Sequence, residues 1–297
     1  MFDHIDHIRS RVEVAFQTIL LVVGNGDFSK IDVDTMWKLI ESCILPIILY
    51  ACETWNVSKG DMKALDKIYE DILKRALKVP ITTPSECLYI ETGLLDLKGH
   101  MMRRSVGMKE RIDKTSNDLL RNVLNLEVKN GWKEKVEHII VNAERNPHTL
   151  SHTLKGKVKS LVKEELKNKI LECLPTKSKV RHYCDNMARL EIGIRAEYMH
   201  KLSRNQACKI FKARSRMLKV KCNYKTKHKH NLKCRACGLV DETQLHVLSE
   251  CCVLHPSLDA IVTMEELFSE DLDEVACVAA RIGDIMKKLE DLGSDFV

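Results

Sequence analysis

The chain has 297 residues, 44% hydrophobic, 30% charged and 5% aromatic, with a formal net charge of +6. A chain of this length buries a sizeable core unaided, and this balance describes a soluble globular protein rather than a low-complexity one. Its longest apolar runs, AFQTILLVVG and CILPIILYAC, fall short of the roughly 20 residues that a membrane span needs.

The polar start MFDHIDHIRS is not a secretory signal. An intracellular location, nuclear and/or cytoplasmic, is therefore expected, with the twelve cysteines as reduced thiols. Only 12 glycines and 6 prolines interrupt a chain rich in Lys, Glu and Leu, which predicts a mainly α fold.

In chain order, Phe2–Val23 predicts an amphipathic helix on the spacing of Ile5, Ile8, Val12, Phe16 and Ile19, followed by the turn Gly24–Asp27. A helix is expected over Asp32–Trp55, kinked by Pro46, and another over Lys59–Leu77. KVPITTPS breaks the chain, and Ser85 is placed as the cap of a short helix Glu86–Glu91 that ends at Gly93. Helices are expected over Leu95–Ile112, Asp118–Glu127, Trp132–Arg145 and Leu150–Leu174. A long helix over Val180–Lys219 carries the stripe Tyr183, Met187, Leu190, Ile194, Tyr198, Leu202. Thr263–Glu266 reads as a capping box, and a final amphipathic helix starts near Leu272. Trp37 and Trp55 are expected in the core. His4, His7 and His100 are isolated, and nothing near His182 and Cys184 completes a site.

Charge is unevenly distributed. Between Tyr198 and Val240 there are thirteen Lys or Arg and no acid, so the remaining 35 bases are outnumbered by the 42 acids of the chain. Such a stretch suits a polyanion partner. It runs into Cys234-x2-Cys237-x8-His246-x4-Cys251. A Cys-x2-Cys knuckle holds two thiolates close together, Gly238 permits the turn after it, and His246 and Cys251 complete a tetrahedral set for zinc. Cys252 is an alternative fourth ligand, and His255 a weaker one. Four protein ligands leave no open position, so the expected zinc is structural. No His-x-Glu, His-Glu-x-x-His, phosphate-binding loop or dinucleotide fingerprint is present.

The segment Cys43–Leu97 resembles the region after the palm in reverse transcriptases of non-LTR (LINE-like) retrotransposons. The resemblance is carried by Leu49, Tyr50, Glu53 and Trp55 of a Leu-Tyr-Gly-x-Glu-x-Trp pattern, then Lys74, Arg75, Thr83, Pro84, Glu91 and Gly93. Ala51 and Cys52 depart from that pattern. The family also ends in a Cys-Cys-His-Cys knuckle after a basic tract, with a Glu-Thr-x-x-His element matched by Glu242, Thr243 and His246. The two matches occur in the family's order, whereas Asp113–Leu174 matches only loosely.

The resemblance implies a thumb-like helical bundle over 1–112, a helical connector ending in a basic helix over 113–220, a basic tract and zinc knuckle over 221–256, and a helical tail over 257–297. The palm's paired aspartates are missing, since the chain has no Asp-Asp, and so is an endonuclease. The expectation is a non-catalytic portion that grips RNA and/or DNA through phosphates, with other retroelement proteins as further partners and no membrane. The expected contacts are Lys201, Arg204, Lys209, Lys212, Arg214, Arg216, Lys219, Lys221, Lys225, Lys227, Lys229, Lys233 and Arg235. Tyr224 either stacks on a base or anchors the loop as a partly buried ring. The rival readings are a helical interaction scaffold with a structural zinc and a fragment of an active polymerase.

Overall fold

The structure is a computed structural model and describes residues 2–24, 31–55, 57–119, 122, 131–147, 149, 151–187, 190–224, 228, 231–257 and 260–292. The fold is mainly helical, and a single antiparallel bridge, Lys233 to Asp241, is the one β pairing among the described residues. No helix among them is long and apolar enough to cross a membrane.

Helix α1 (Phe2–Gly24) buries the five residues of its periodic stripe, Ile5, Ile8, Val12, Phe16 and Ile19. It packs on α4 (Lys59–Ala76), whose Arg75 lies over the Phe16 ring at 4.6 Å and reaches Glu13 at 2.9 Å. Between them the expected single helix is divided. Asp32 caps α2 (Val33–Leu39), a π turn runs over Ile40–Ile44, and α3 (Leu45–Ile48) follows with Pro46 in its first turn. Proline donates no hydrogen bond and crowds the carbonyl four residues back, and the wider turn relieves both. Ala51 then adopts φ +54° and turns the chain into the 3-10 turn Cys52–Thr54. Trp37 is fully buried and Trp55 half-buried.

Helix α5 (Ser85–Thr92) corrects one capping expectation. Pro84 occupies the cap position, and the Ser85 hydroxyl donates to Glu70 of α4 instead. Gly93 ends the helix at φ +64°, where a Cβ would strike the Ile194–Arg195 backbone at 2.6 Å. Three longer helices, α6 (Leu97–Asp113), α7 (Trp132–Arg145) and α8 (Leu154–Cys173), share a satellite core of Leu95, Met102, Val106, Val136, Ala143, Val158 and Val162. The expected helix Asp118–Glu127 lies largely outside the described residues.

The long basic helix is a correction. In its place are α9 (Ser178–Asp185), α10 (Glu197–Lys201) and α11 (Arg204–Arg214). Two local features break it. Gly193 has φ +77°, and the chain after it turns in so that the Ala196 amide donates to the Glu91 carbonyl at 2.9 Å. Ser203 then opens α11 through a full capping box with Gln206. Ile194, placed on the apolar stripe, is 55% exposed as a result.

A capping box at Thr263 opens α12 (Met264–Leu267), and α13 (Leu272–Asp291) lies against α11. One continuous apolar core runs from Ile5 to Leu289 and includes Cys234, Val247, Leu248 and Cys251. It also encloses a polar cluster. Glu91 is fully buried and receives Arg214 Nη1 at 3.2 Å and the Tyr183 hydroxyl. The Arg214 guanidinium lies over Tyr198 at 4.6 Å and Phe268 at 5.2 Å. Burial pushes the Glu91 carboxyl up, against the opposing pull of Arg214.

Candidate metal centre and basic surface

The knuckle is a tight hairpin. The Cys234 amide donates to the Val240 carbonyl at 2.8 Å and the Gly238 amide to the Cys234 carbonyl at 2.9 Å. Gly238 takes φ +69°, the left-handed turn expected after the second cysteine. The turn aims backbone amides at sulfur. Those of Leu239 and Val240 face Cys237, and with the Leu239 amide as the largest influence the thiol is drawn down to about 6. Burial pushes the Cys234 thiol up to about 11, although the amides of Cys237 and Ala236 face it.

The other two side chains come from a π turn, His246–Glu250. Residues five apart in an α-helix point about 140° apart, at about 100° per residue. Here the Cys251 amide donates to the His246 carbonyl at 2.8 Å, the five-residue closure of a π turn, and both side chains reach one point.

Cys234 Sγ lies 3.9 Å from Cys251 Sγ, and Cys237 Sγ lies 3.4 Å from His246 Nε2. The four ligand atoms all lie within 4.8 Å of one another. A tetrahedron with metal–sulfur bonds of about 2.3 Å has edges of about 3.8 Å, so this cluster can hold a metal ion with little rearrangement. His246 Nδ1 faces outward to Glu250 at 3.9 Å. The two alternative ligands are excluded from the cluster: Cys252 is exposed, and His255 turns its Nε2 to the Val247 carbonyl at 2.8 Å.

Glu242, in the sequence only one residue of a Glu-Thr-x-x-His pattern, supports the site. Its carboxylate is fully buried and receives the Lys221 amide, the Arg235 amide and the Arg235 guanidinium, each at 2.9 Å. It thereby ties the chain inside the Cys-x2-Cys loop to the segment before it. Thr243 Oγ1 accepts from the His246 amide at 3.0 Å and starts the π turn.

The basic residues divide. Four expected phosphate contacts are corrected, because each is buried against an internal acceptor. Arg204 donates to the Ala76 carbonyl at the end of α4, Arg214 pairs with Glu91, Lys221 Nζ donates to the Lys233 carbonyl at 3.1 Å, and Arg235 pairs with Glu242. Lys209 and Lys212 are half-buried. Lys209 lies across α13 at Gly283, and burial draws the Lys212 ammonium down. Lys201, Arg216, Lys219 and Lys233 are exposed, with Lys219 at 3.9 Å from Glu290 and Lys233 at 3.5 Å from Asp241. Arg216 also takes the left-handed position that ends α11, φ +53°. Tyr224 is half-buried in the 3-10 turn Lys221–Tyr224. Lys225, Lys227 and Lys229 lie outside the described residues.

Two residues of the other matched segment, Lys74 and Thr83, hold a turn of the fold. Lys74 Nζ donates to the Ile81 carbonyl at 3.0 Å, and the Thr83 hydroxyl closes the turn on the Pro80 carbonyl at 2.6 Å. Comparisons with protein-family models, with curated proteins and with solved structures find no match for this chain.

Proposed function

We propose that this chain binds RNA and/or DNA through phosphates as a non-catalytic relative of the C-terminal part of non-LTR retrotransposon reverse transcriptases, with zinc as a structural ion. The observation that carries the reading is the Cys3His cluster directly after a basic segment. Three thiolates and one imidazole at tetrahedral spacing suit zinc, and four protein ligands leave no position for a reacting water. The ion would pin the hairpin while the cations act by charge and counterion release. Lys201, Arg216, Lys219 and Lys233 supply exposed charge, and Lys225, Lys227 and Lys229 add theirs in sequence. Ala51 adds support, for it holds a left-handed backbone where the resembling pattern carries glycine.

The test is one titration series. Purified protein should contain about one zinc per chain, lost in Cys234→Ser/Cys237→Ser. An RNA hairpin and a DNA duplex should bind with a steep salt dependence. Replacing Lys219, Lys225, Lys227 and Lys229 by Gln should reduce that slope by about 3–4. Zinc without salt-dependent binding would instead favour a helical interaction scaffold. That second reading has its own observation, an apolar groove of about 500 Å³ formed by α1 and α3, beside which Tyr50 is 76% exposed.

A further inference from the structure

The cations of α6 are unevenly used. Lys98 and Lys109 are engaged with Glu165 and Asp113 at 2.7 and 2.8 Å. Arg103 and Arg111 have no carboxylate partner among the described residues, and neither has Lys155, from the first turn of α8. With Arg104, these side chains line one cleft between α6, α8 and the Cys52–Thr54 turn, with a volume of about 650 Å³. Four cations there face two carboxylates, Glu53 and Glu110, and Glu53 stands only 3.9 Å from Arg104. Like charges held around a concave wall repel one another, and the low-dielectric walls focus their field into the opening.

Gly107 sits on α6 one turn from both Arg103 and Arg111, on the same face. Glycine weakens a helix interior, yet a Cβ here would meet nothing within 4 Å, so packing does not require it. Its missing side chain leaves the cleft open between the arginines, beside the buried side chains of Val106 and Val158.

We propose that this cleft binds a phosphate group, held by the guanidinium forks of Arg103 and Arg111 and the ammonium of Lys155. Planar donors match phosphate oxygens in pairs, and the point charge of lysine completes the neutralisation. The source of the phosphate is the strand that the protein binds, and in that respect the assignment rests on the nucleic-acid reading above. It adds a contact outside the basic segment Lys201–Arg235, where the sequence places the individual contacts.

Two probes separate the assignment from that reading: pyrophosphate, followed by calorimetry, and a labelled 12-nucleotide RNA, followed by anisotropy. Both are titrated onto the full chain, onto Gly107→Glu, which places a carboxylate in open space, and onto Arg103→Gln/Arg111→Gln. Gly107→Ala serves as the space control and Lys59→Gln/Lys63→Gln as the charge-matched control. Pyrophosphate should bind the wild type and Gly107→Ala alike and should weaken about tenfold in the two cleft variants. RNA should weaken in the same two variants and change far less in the charge-matched control. If pyrophosphate responds and RNA does not, the phosphate site stands and its source is a small phosphate compound. If pyrophosphate fails to bind, or binds every variant equally, the site is overturned. The Lys219, Lys225, Lys227 and Lys229 substitutions judge the basic-tract reading by RNA alone and leave the pyrophosphate comparison untouched.

Discussion

Single side chains in this protein are decided by partners far away in sequence. Asp66 on α4 is an example. Burial, the largest influence, raises its carboxyl to about 6, the nearby Asp96 and Glu70 push the same way, and Lys169 opposes them. One of its oxygens is buried without a hydrogen-bond partner. Because the folded-state value lies above the ordinary one, the native state holds the proton more tightly. The stability this supplies is complete below pH about 4, falls as pH rises, and is gone above pH about 6. Asp66→Asn should therefore match the wild type at low pH and exceed it at pH 7, on the order of 2 kcal/mol by denaturant midpoints. A gain of the same size at every pH would remove burial of the charge as its cause. The same lesson applies to Arg204, Arg214, Lys221 and Arg235. Each looks like a free cation in a basic run, and each is committed to an internal acceptor.

Elements tell a mixed story. Helices α1, α4 and α13 follow their apolar periodicity closely, and the Thr263 capping box forms as its spacing predicts. Their signals lie within a few residues and need no tertiary partner to be legible. The stretch from Val180 to Lys219 has a good periodic stripe and still breaks, because Gly193, the Ala196–Glu91 pairing and the Ser203 cap outweigh it. In the knuckle the cysteine and histidine spacing was legible, but the π turn and the role of Glu242 were not. Glu242→Gln would remove the buried charge that the Lys221 amide, the Arg235 amide and the Arg235 guanidinium share, at a cost of about 3 kcal/mol. Metal affinity should fall by about 10- to 100-fold, as for other supports of metal ligands, which competition with a chelating dye measures. Unchanged affinity would show that the hairpin backbone alone holds the ligands in place.

At the scale of the whole molecule, the knuckle is not an appendage. Cys234, Val247, Leu248, Cys251 and Leu254 belong to the same apolar core as α1, α4 and α13. A bound ion stabilises the state that binds it. Stripping the metal with a chelator should therefore lower the melting temperature of the entire chain in one transition. A loss confined to proteolysis near the hairpin, with the main transition unmoved, would mean that the knuckle folds by itself. The sequence by itself determined the helical class, most helix positions, the asymmetry of charge and the four candidate ligands, because these depend on composition, periodicity and spacing. Tertiary structure alone decided that Cys251 and not Cys252 joins the cluster, which cations reach solvent, that Ala51 must hold a left-handed turn, and that α6 and α8 enclose a cationic cleft. Those outcomes depend on which surfaces meet across the chain, and burial acts on a residue only once its distant neighbours are in place.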